Sequence, residues 1–211
     1  MAKYLIGAIG LVLIIGGGWY AWKSMRGDSM RLTPSSNVQE PQMRTYATST
    51  FSVTYPADYT VNDSYMNDRV NPKKPIAGVK FTIPGSMASG TNLSADSGIS
   101  VEWLPRAKNC TGDIYLADNV RSVTTTMGST TYSVATTTGA GAGNFYEEMV
   151  YAISGSKPCT AVRYLIHSTN IGNYEPGTVR EFDRNALITA FDAIRNSLRL
   201  TAGTARTTTT P

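Results

Sequence analysis

Apolar and polar positions follow two regimes along this chain. Residues 4–22, YLIGAIGLVLIIGGGWYAW, form a stretch with no charged side chain. From Thr48 onward the pattern changes to short alternating runs, the period of strands with one face toward a core. TFSVTYP sets Phe51, Val53 and Tyr55 against Ser52 and Thr54, and Pro56 with Asp58 supplies turn chemistry. GVKFTIP places Val79, Phe81 and Ile83 on one face, and GISVEWLP does the same with Ile99, Val101 and Trp103. NVRSVTTTM and TTYSVATTT flank Gly128-Ser129, a hairpin signal. NFYEEMVYAIS aligns Phe145, Glu147, Met149, Tyr151 and Ile153. CTAVRYLIHST puts Val162, Tyr164 and Ile166 opposite Arg163, Leu165 and His167.

One segment changes to a helical period. Phe182, Leu187, Phe191, Ile194 and Leu198 form an apolar stripe. Thr178 and Glu181 have the spacing of a capping box at its start. Arg184, Arg195 and Arg199 fall off the stripe, with Asp192 placed to pair with Arg195. A short helix is also expected near Thr111, with Asp113 in its first turn. The fold class expected is therefore α+β: an antiparallel sheet meander covered by a C-terminal helix.

The apolar run sets the domain plan. As a helix it rises about 28 Å, near the thickness of a bilayer core. Trp19, Tyr20 and Trp22 stand at one end, where aromatic residues favour a membrane interface. A cleaved signal peptide fits less well, because the apolar run is long and Tyr20-Ala21-Trp22 is a poor cleavage site. The expected plan is a transmembrane anchor over 1–23, a flexible linker over 24–47, an α+β domain over 48–200, and a disordered tail over 201–211. Charge around the anchor mildly opposes export of the domain. Low domain charge and the paired cysteines favour it, so a single-pass protein with its C-terminal domain extracytoplasmic is expected.

Charged residues are 16% of the chain, against roughly 25% in typical soluble domains. The net charge is +4, and Lys73-Lys74 is the only adjacent pair of cations. Nucleic-acid binding calls for a basic stripe that this spacing does not supply, so no nucleic-acid partner is expected. The glycines of TTTGAGAGNFY precede a strand rather than a helix, with no lysine beside them, which excludes a phosphate loop. They read as a mobile hairpin connection.

Cys110 and Cys159, 49 positions apart, are expected to form a disulfide in an exported domain. The chain-entropy contribution is about 4 kcal/mol. Two cysteines and one histidine are too few for a zinc site. No metal and no cofactor is expected.

His167 is the only histidine. As a catalytic base it would use Glu175 or Asp183 as its orienting acid and a nearby hydroxyl as nucleophile. Ser168, the neighbouring residue, points to the opposite strand face, and no G-x-S-x-G elbow occurs. Adjacent Glu147 and Glu148 diverge on a strand and cannot flank one bond. Glu147 is expected to face Arg163 across a strand pair instead. The long joint STNIGNYEPG is the first place to seek a ligand, since loops carry function. Its candidate binding residues are His167, Tyr174, Glu175 and Arg180. No catalytic residue is assigned.

The runs TFSVTYPADYTV, GVKFTIP and SGISVEWLP, with the closing FDAIRNSLRL, resemble PsbP-like domains of the membrane-anchored bacterial type. The resemblance spans most of 48–200. It implies the Mog1/PsbP fold, an antiparallel sheet flanked by helices, and an accessory or binding role rather than catalysis. The plastid targeting of photosystem-linked members is absent. The function expected is a membrane-anchored extracytoplasmic binding or scaffolding domain. Its partners would be the lipid bilayer, through residues 4–22, and an envelope protein or wall polymer. The alternative is an envelope hydrolase with a site around His167.

Overall fold

Two antiparallel sheets divide ten strands in the computed structural model, which describes residues 41–201. The anchor, the linker up to residue 40 and the tail beyond Thr201 lie outside the described residues. Among the described residues, no helix is long and apolar enough to cross a membrane. The small sheet has the order β1 (Met43–Ala47), β2 (Phe51–Pro56), β10 (Arg199–Leu200). The large sheet contains β3 (Thr60–Asn67), β4 (Ile76–Thr82), β5 (Gly98–Leu104), β6 (Val123–Met127), β7 (Thr130–Gly141), β8 (Asn144–Ile153) and β9 (Cys159–Thr169). Its order is β3-β4-β5-β9-β8-β7-β6.

The sheet is thus two meanders joined where β5 meets β9, not the single meander expected. Burial explains the arrangement. β9 is buried along nearly its whole length and β5 along its first five residues. Strands with both faces covered belong in the middle of a sheet. Asn- and Asp-bearing β3 and Thr-rich β6, both largely exposed, take the edges.

A single stretch of core lies on one face of the large sheet. Val79, Phe81, Ile99, Val101, Val162, Tyr164 and Ile166 meet Phe51, Val53 and Tyr55 of β2 and the stripe of α2 (Arg184–Ser197). The short helix α1 (Gly85–Ala88) follows β4, with Met87 packed at the core margin. On the opposite face, Ile76, Ala135, Val150, Ala152 and Ala161 pack under Tyr115 and Leu116. Those two come from the loop after β5, which holds a 3-10 turn over Asp113–Tyr115, where a short helix was expected. Gly112 lets this loop lie directly on β7: a Cβ there would stand 2.7 Å from the Ala135 nitrogen.

Three boundaries depart from expectation. The linker was expected to run to residue 47, but Met43–Ala47 is β1, paired with β2 from Met43↔Pro56 to Ala47↔Ser52. Its only anchor in the core is Tyr46, set edge-on to Phe81, so its own pattern is weak. The C-terminal helix starts at Arg184, later than the Thr178–Glu181 box. Asp183 is the cap, its carboxylate accepting from the Ala186 N–H at 2.9 Å. Thr178 is held in a preceding turn, donating its hydroxyl to the Glu175 carbonyl at 2.7 Å. The glycine run over 139–143 is no loose connection, since β7 continues through Gly141. The turn is Ala142-Gly143, with φ of 50° and 79°, a hairpin geometry that requires positive φ.

Within α2, Leu187, Phe191, Ile194 and the following Leu198 are buried as the stripe predicts. Arg195 was expected off the stripe, yet it is 5% exposed. Its guanidinium sits 4.3 Å from the Tyr151 ring centroid and 2.8 Å from Asp192, the expected partner. The arginine is buried because tyrosine faces and a carboxylate compensate its charge.

Candidate functional site

Strand alternation gives the second face of the large sheet a polar centre. Ser100 stands opposite Arg163, Glu148 opposite Leu165, and Tyr146 opposite His167. Arg163 is 2% exposed and Glu102 fully buried. Arg163 donates from Nε to Glu102 Oε1 at 2.8 Å and from Nη2 to Oε2 at 3.1 Å. It also donates to Glu148 Oε2 and to the Tyr115 carbonyl. Glu102 accepts further from Ser100 Oγ at 2.7 Å and from Asn67 Nδ2 at 3.1 Å. Arg69 closes the cluster from the loop after β3, donating to Glu148 Oε1 at 3.0 Å.

Burial pulls the Arg163 pKa down, but Glu102 and Glu148 outweigh it and hold the pKa above the ordinary arginine value. Every oxygen of both carboxylates has a protein donor. A cluster satisfied within itself offers no vacant group to a ligand, so its use is structural.

The cluster corrects the expected Glu147–Arg163 pair. Glu147 lies opposite Ile166, on the helix-covered face, and both of its oxygens accept from Arg184. Arg163 shares its face with Leu165, and that register brings Glu148 to it. Adjacent residues on a strand face opposite ways.

His167 lies farther along β9. Its Nδ1 is 2.8 Å from Asp96 Oδ1, and its ring stacks on Tyr146 at 4.5 Å. Neither expected orienting acid reaches it: Asp183 caps α2, and Asp96 occupies that place. Ser97 Oγ accepts from the His167 N–H at 3.0 Å and donates to its carbonyl at 3.1 Å. That hydroxyl is engaged with backbone rather than with the imidazole. The remaining ring nitrogen, Nε2, is buried with no hydrogen-bond partner. Among the described residues this leaves a His–Asp pair without the hydroxyl or thiol that nucleophilic catalysis requires.

The other candidates stay in the joint between β9 and α2. Tyr174 closes a 3-10 turn by donating its N–H to the Ile171 carbonyl at 3.1 Å. Glu175 accepts through its carbonyl from the Thr178 N–H. Arg180 is clamped by its backbone: its N–H donates to Gly90 at 3.2 Å, and its carbonyl accepts from Asn92 at 3.0 Å. No hydrogen bond or ion pair joins any of the three to His167.

Two adjoining grooves lie at the opposite end of β5 and β9. The Cys110–Cys159 disulfide, expected from the sequence, forms there with a Cα separation of 5.1 Å. It ties the loop after β5 to the start of β9. A groove of about 1040 Å³ is lined by Lys74, Leu104, Arg106, Lys108 and Ile114, with Asp113 as its acid. A second groove of about 590 Å³ shares Arg106 and Lys108 and adds Trp103, Lys157 and Pro158. Lys74, Arg106, Lys108 and Lys157 are exposed, and none belongs to an ion pair.

The sequence pattern does not single these cations out, because they come from three separate loops. The cysteines held the missing signal. Arg106 and Lys108 closely precede Cys110, and Lys157 closely precedes Cys159, so the bridge brings these three together, while Lys74 comes from the loop before β4, the strand paired with β5.

No protein-family profile matches the chain, and no curated protein does. A crystal structure from Bacteroides thetaiotaomicron is similar to it with a TM-score of 0.41 and 9% identity, covering 72% of this chain. This chain spans 46% of the length of that protein.

Proposed function

We propose that this protein is a membrane-anchored extracytoplasmic binding or scaffolding domain, of a PsbP-like kind, held at the bilayer through residues 4–22. The observation that carries the reading is the placement of the unsatisfied groups. The sheet's buried ions are fully paired and His167 lacks a nucleophile, whereas four exposed cations without carboxylate partners, Lys74, Arg106, Lys108 and Lys157, converge on the two grooves. Such a surface serves contact rather than turnover. The disulfide supports an oxidising compartment. The partner is a component of the surrounding envelope.

The test has two parts. The full chain should fractionate with membranes, survive a high-salt wash, and be cut by protease added from outside intact cells. Purified protein should be retained by isolated envelope material and release no product from esters, peptides or glycans. Protection from external protease, or release of product, would overturn the reading. The His167–Asp96 pair is the one feature that favours the rival envelope hydrolase, and loss of any turnover in His167→Gln would establish it.

A further inference from the structure

We propose that the two grooves beside the disulfide form a binding site for a linear anionic polymer, one in which phosphodiester groups join polyol or sugar units. The inference rests on the binding-domain reading and names the ligand class for it.

Charge is the first argument. Arg106 and Lys108 project from the loop shared by both grooves, with Lys74 in one groove and Lys157 in the other. Five other cations of the fold have partners, and Arg44, Lys73, Arg121, Arg180 and Arg199, which have no carboxylate partner, line neither groove. Arg69, Arg163, Arg184 and Arg195 are paired with carboxylates, and Lys80 donates to the Asp96 carbonyl at 2.8 Å. The four groove cations have none, and Asp113 is the single acid set against them. With one acid against four cations, an anion entering here meets a net positive charge.

Shape and chemistry choose among polyanions. The cations line concave walls of two grooves that share one loop, which suits a chain with charges repeated along its length. A flat bilayer would touch only the outermost of them. A peptide needs partners for its backbone, as a sheet edge provides. The cationic residues here lie in turns and loops outside every strand, so an acidic peptide would find no such ladder. Uncharged units between the phosphates find apolar surface at Leu104 and Ile114 in one groove and at Trp103 in the other. Nucleic acid shares the phosphodiester chemistry, but its single strands draw on several stacking aromatic side chains. Trp103 is the lone aromatic residue lining these grooves.

The experiment uses the full chain in zwitterionic lipid nanodiscs and measures binding of poly(glycerol phosphate) across a salt series. The competing probes are poly-L-glutamate, single-stranded DNA and phosphatidylglycerol vesicles, the last presenting the same phosphate and glycerol on a flat surface. Poly(glycerol phosphate) should bind at least about tenfold tighter than each of them, and affinity should fall steeply with salt. Arg106→Gln/Lys108→Gln should weaken it about tenfold or more and reduce the log–log salt slope by about 1.4, near 0.7 for each lost contact with a flexible strand. Lys74→Gln/Lys157→Gln, which leaves the Arg106–Cys110 segment untouched, should do the same. Arg44→Gln, an exposed cation on β1 that lines neither groove, should leave affinity and slope unchanged.

Equal or tighter binding of glutamate polymer, DNA or vesicles would overturn the proposed ligand class. Unaltered binding in both double variants would overturn the site. Retention by envelope material that ignores both double variants would sink this inference while leaving the binding-domain reading intact. Absence of any envelope retention would remove that reading too.

Discussion

The Arg163 guanidinium grips both oxygens of Glu102 in the middle of the large sheet, Nε to Oε1 at 2.8 Å and Nη2 to Oε2 at 3.1 Å. Both side chains are cut off from water. The pair holds β5 to β9, and through Glu148 it reaches β8 as well.

Removing one partner strands the other. Glu102→Ala is expected to destabilise the domain by about 3–5 kcal/mol, the cost of breaking a buried pair from one side, with Glu148 left as the sole carboxylate on Arg163. Replacing both residues, as Glu102→Met/Arg163→Met, should cost less than Glu102→Ala alone, because the one charge left behind, Glu148, still has Arg69 as its partner. Urea unfolding of a fragment spanning 41–201 measures both, since that fragment keeps β1 whole. A loss under about 1 kcal/mol in Glu102→Ala would show that water or Glu148 replaces the pair.

The covalent tie at the groove end makes a second prediction. Reducing Cys110–Cys159 frees a loop of 49 positions, and chain entropy puts the loss at about 4 kcal/mol. Protein taken from its native host should resist thiol labelling until reduced, with mass spectrometry counting the labels. Two labelled thiols in folded, unreduced protein would contradict the bridge and remove the main support for export.

Buried phenols set the alkaline limit. Burial foremost, with nearby carboxylates, pushes the pKa values of Tyr59 and Tyr65 from 10.0 up to about 12. Burial also raises Tyr115 and Tyr164. A folded-state pKa above the unfolded one gives stability that is complete below the unfolded value and is lost as pH rises through the folded value. The domain should therefore hold its stability up to about pH 10 and lose it between about 10 and 12. Tyrosinate absorbance and circular dichroism, followed together, should show these phenols ionising with unfolding. Ionisation of every tyrosine near pH 10 without unfolding would contradict the burial.

Alternation within single segments made most of the fold legible. Phe51-Val53-Tyr55, Val79-Phe81-Ile83 and Ile99-Val101-Trp103 are strand faces turned to one core, and the Leu187–Leu198 stripe covers it. What local pattern cannot carry is adjacency between distant segments. The same alternation that put Val101 inward put Glu102 on the other face, and Arg163 likewise on β9. Nothing in either segment says that β5 and β9 are neighbours, so the pair was missed. β1 was read as linker for a similar reason: its hydrogen bonds go to β2, and its own side chains bury little. The basic grooves need four cations from three loops: the disulfide joins the loop of Arg106 and Lys108 to that of Lys157, and Lys74 arrives from the loop before β4, which pairs with β5.

His167 carries the last prediction. Its imidazole has a carboxylate on Nδ1 and a stacked ring on one face, two features shared with catalytic histidines. Its Nε2 meets no nucleophile, and Ser97, the nearest hydroxyl in its hydrogen-bond network, is committed to backbone. The side chain is 18% exposed and that of Asp96 60% exposed, so their interaction is screened and contributes on the order of 1 kcal/mol or less. His167→Gln should then change stability by no more than about that amount. It should leave envelope retention within about 1 kcal/mol of wild type, as for a residue outside a binding hot spot. Loss of retention with the fold intact would move the binding site to this end of β9, toward Tyr174, Glu175 and Arg180, and away from the grooves.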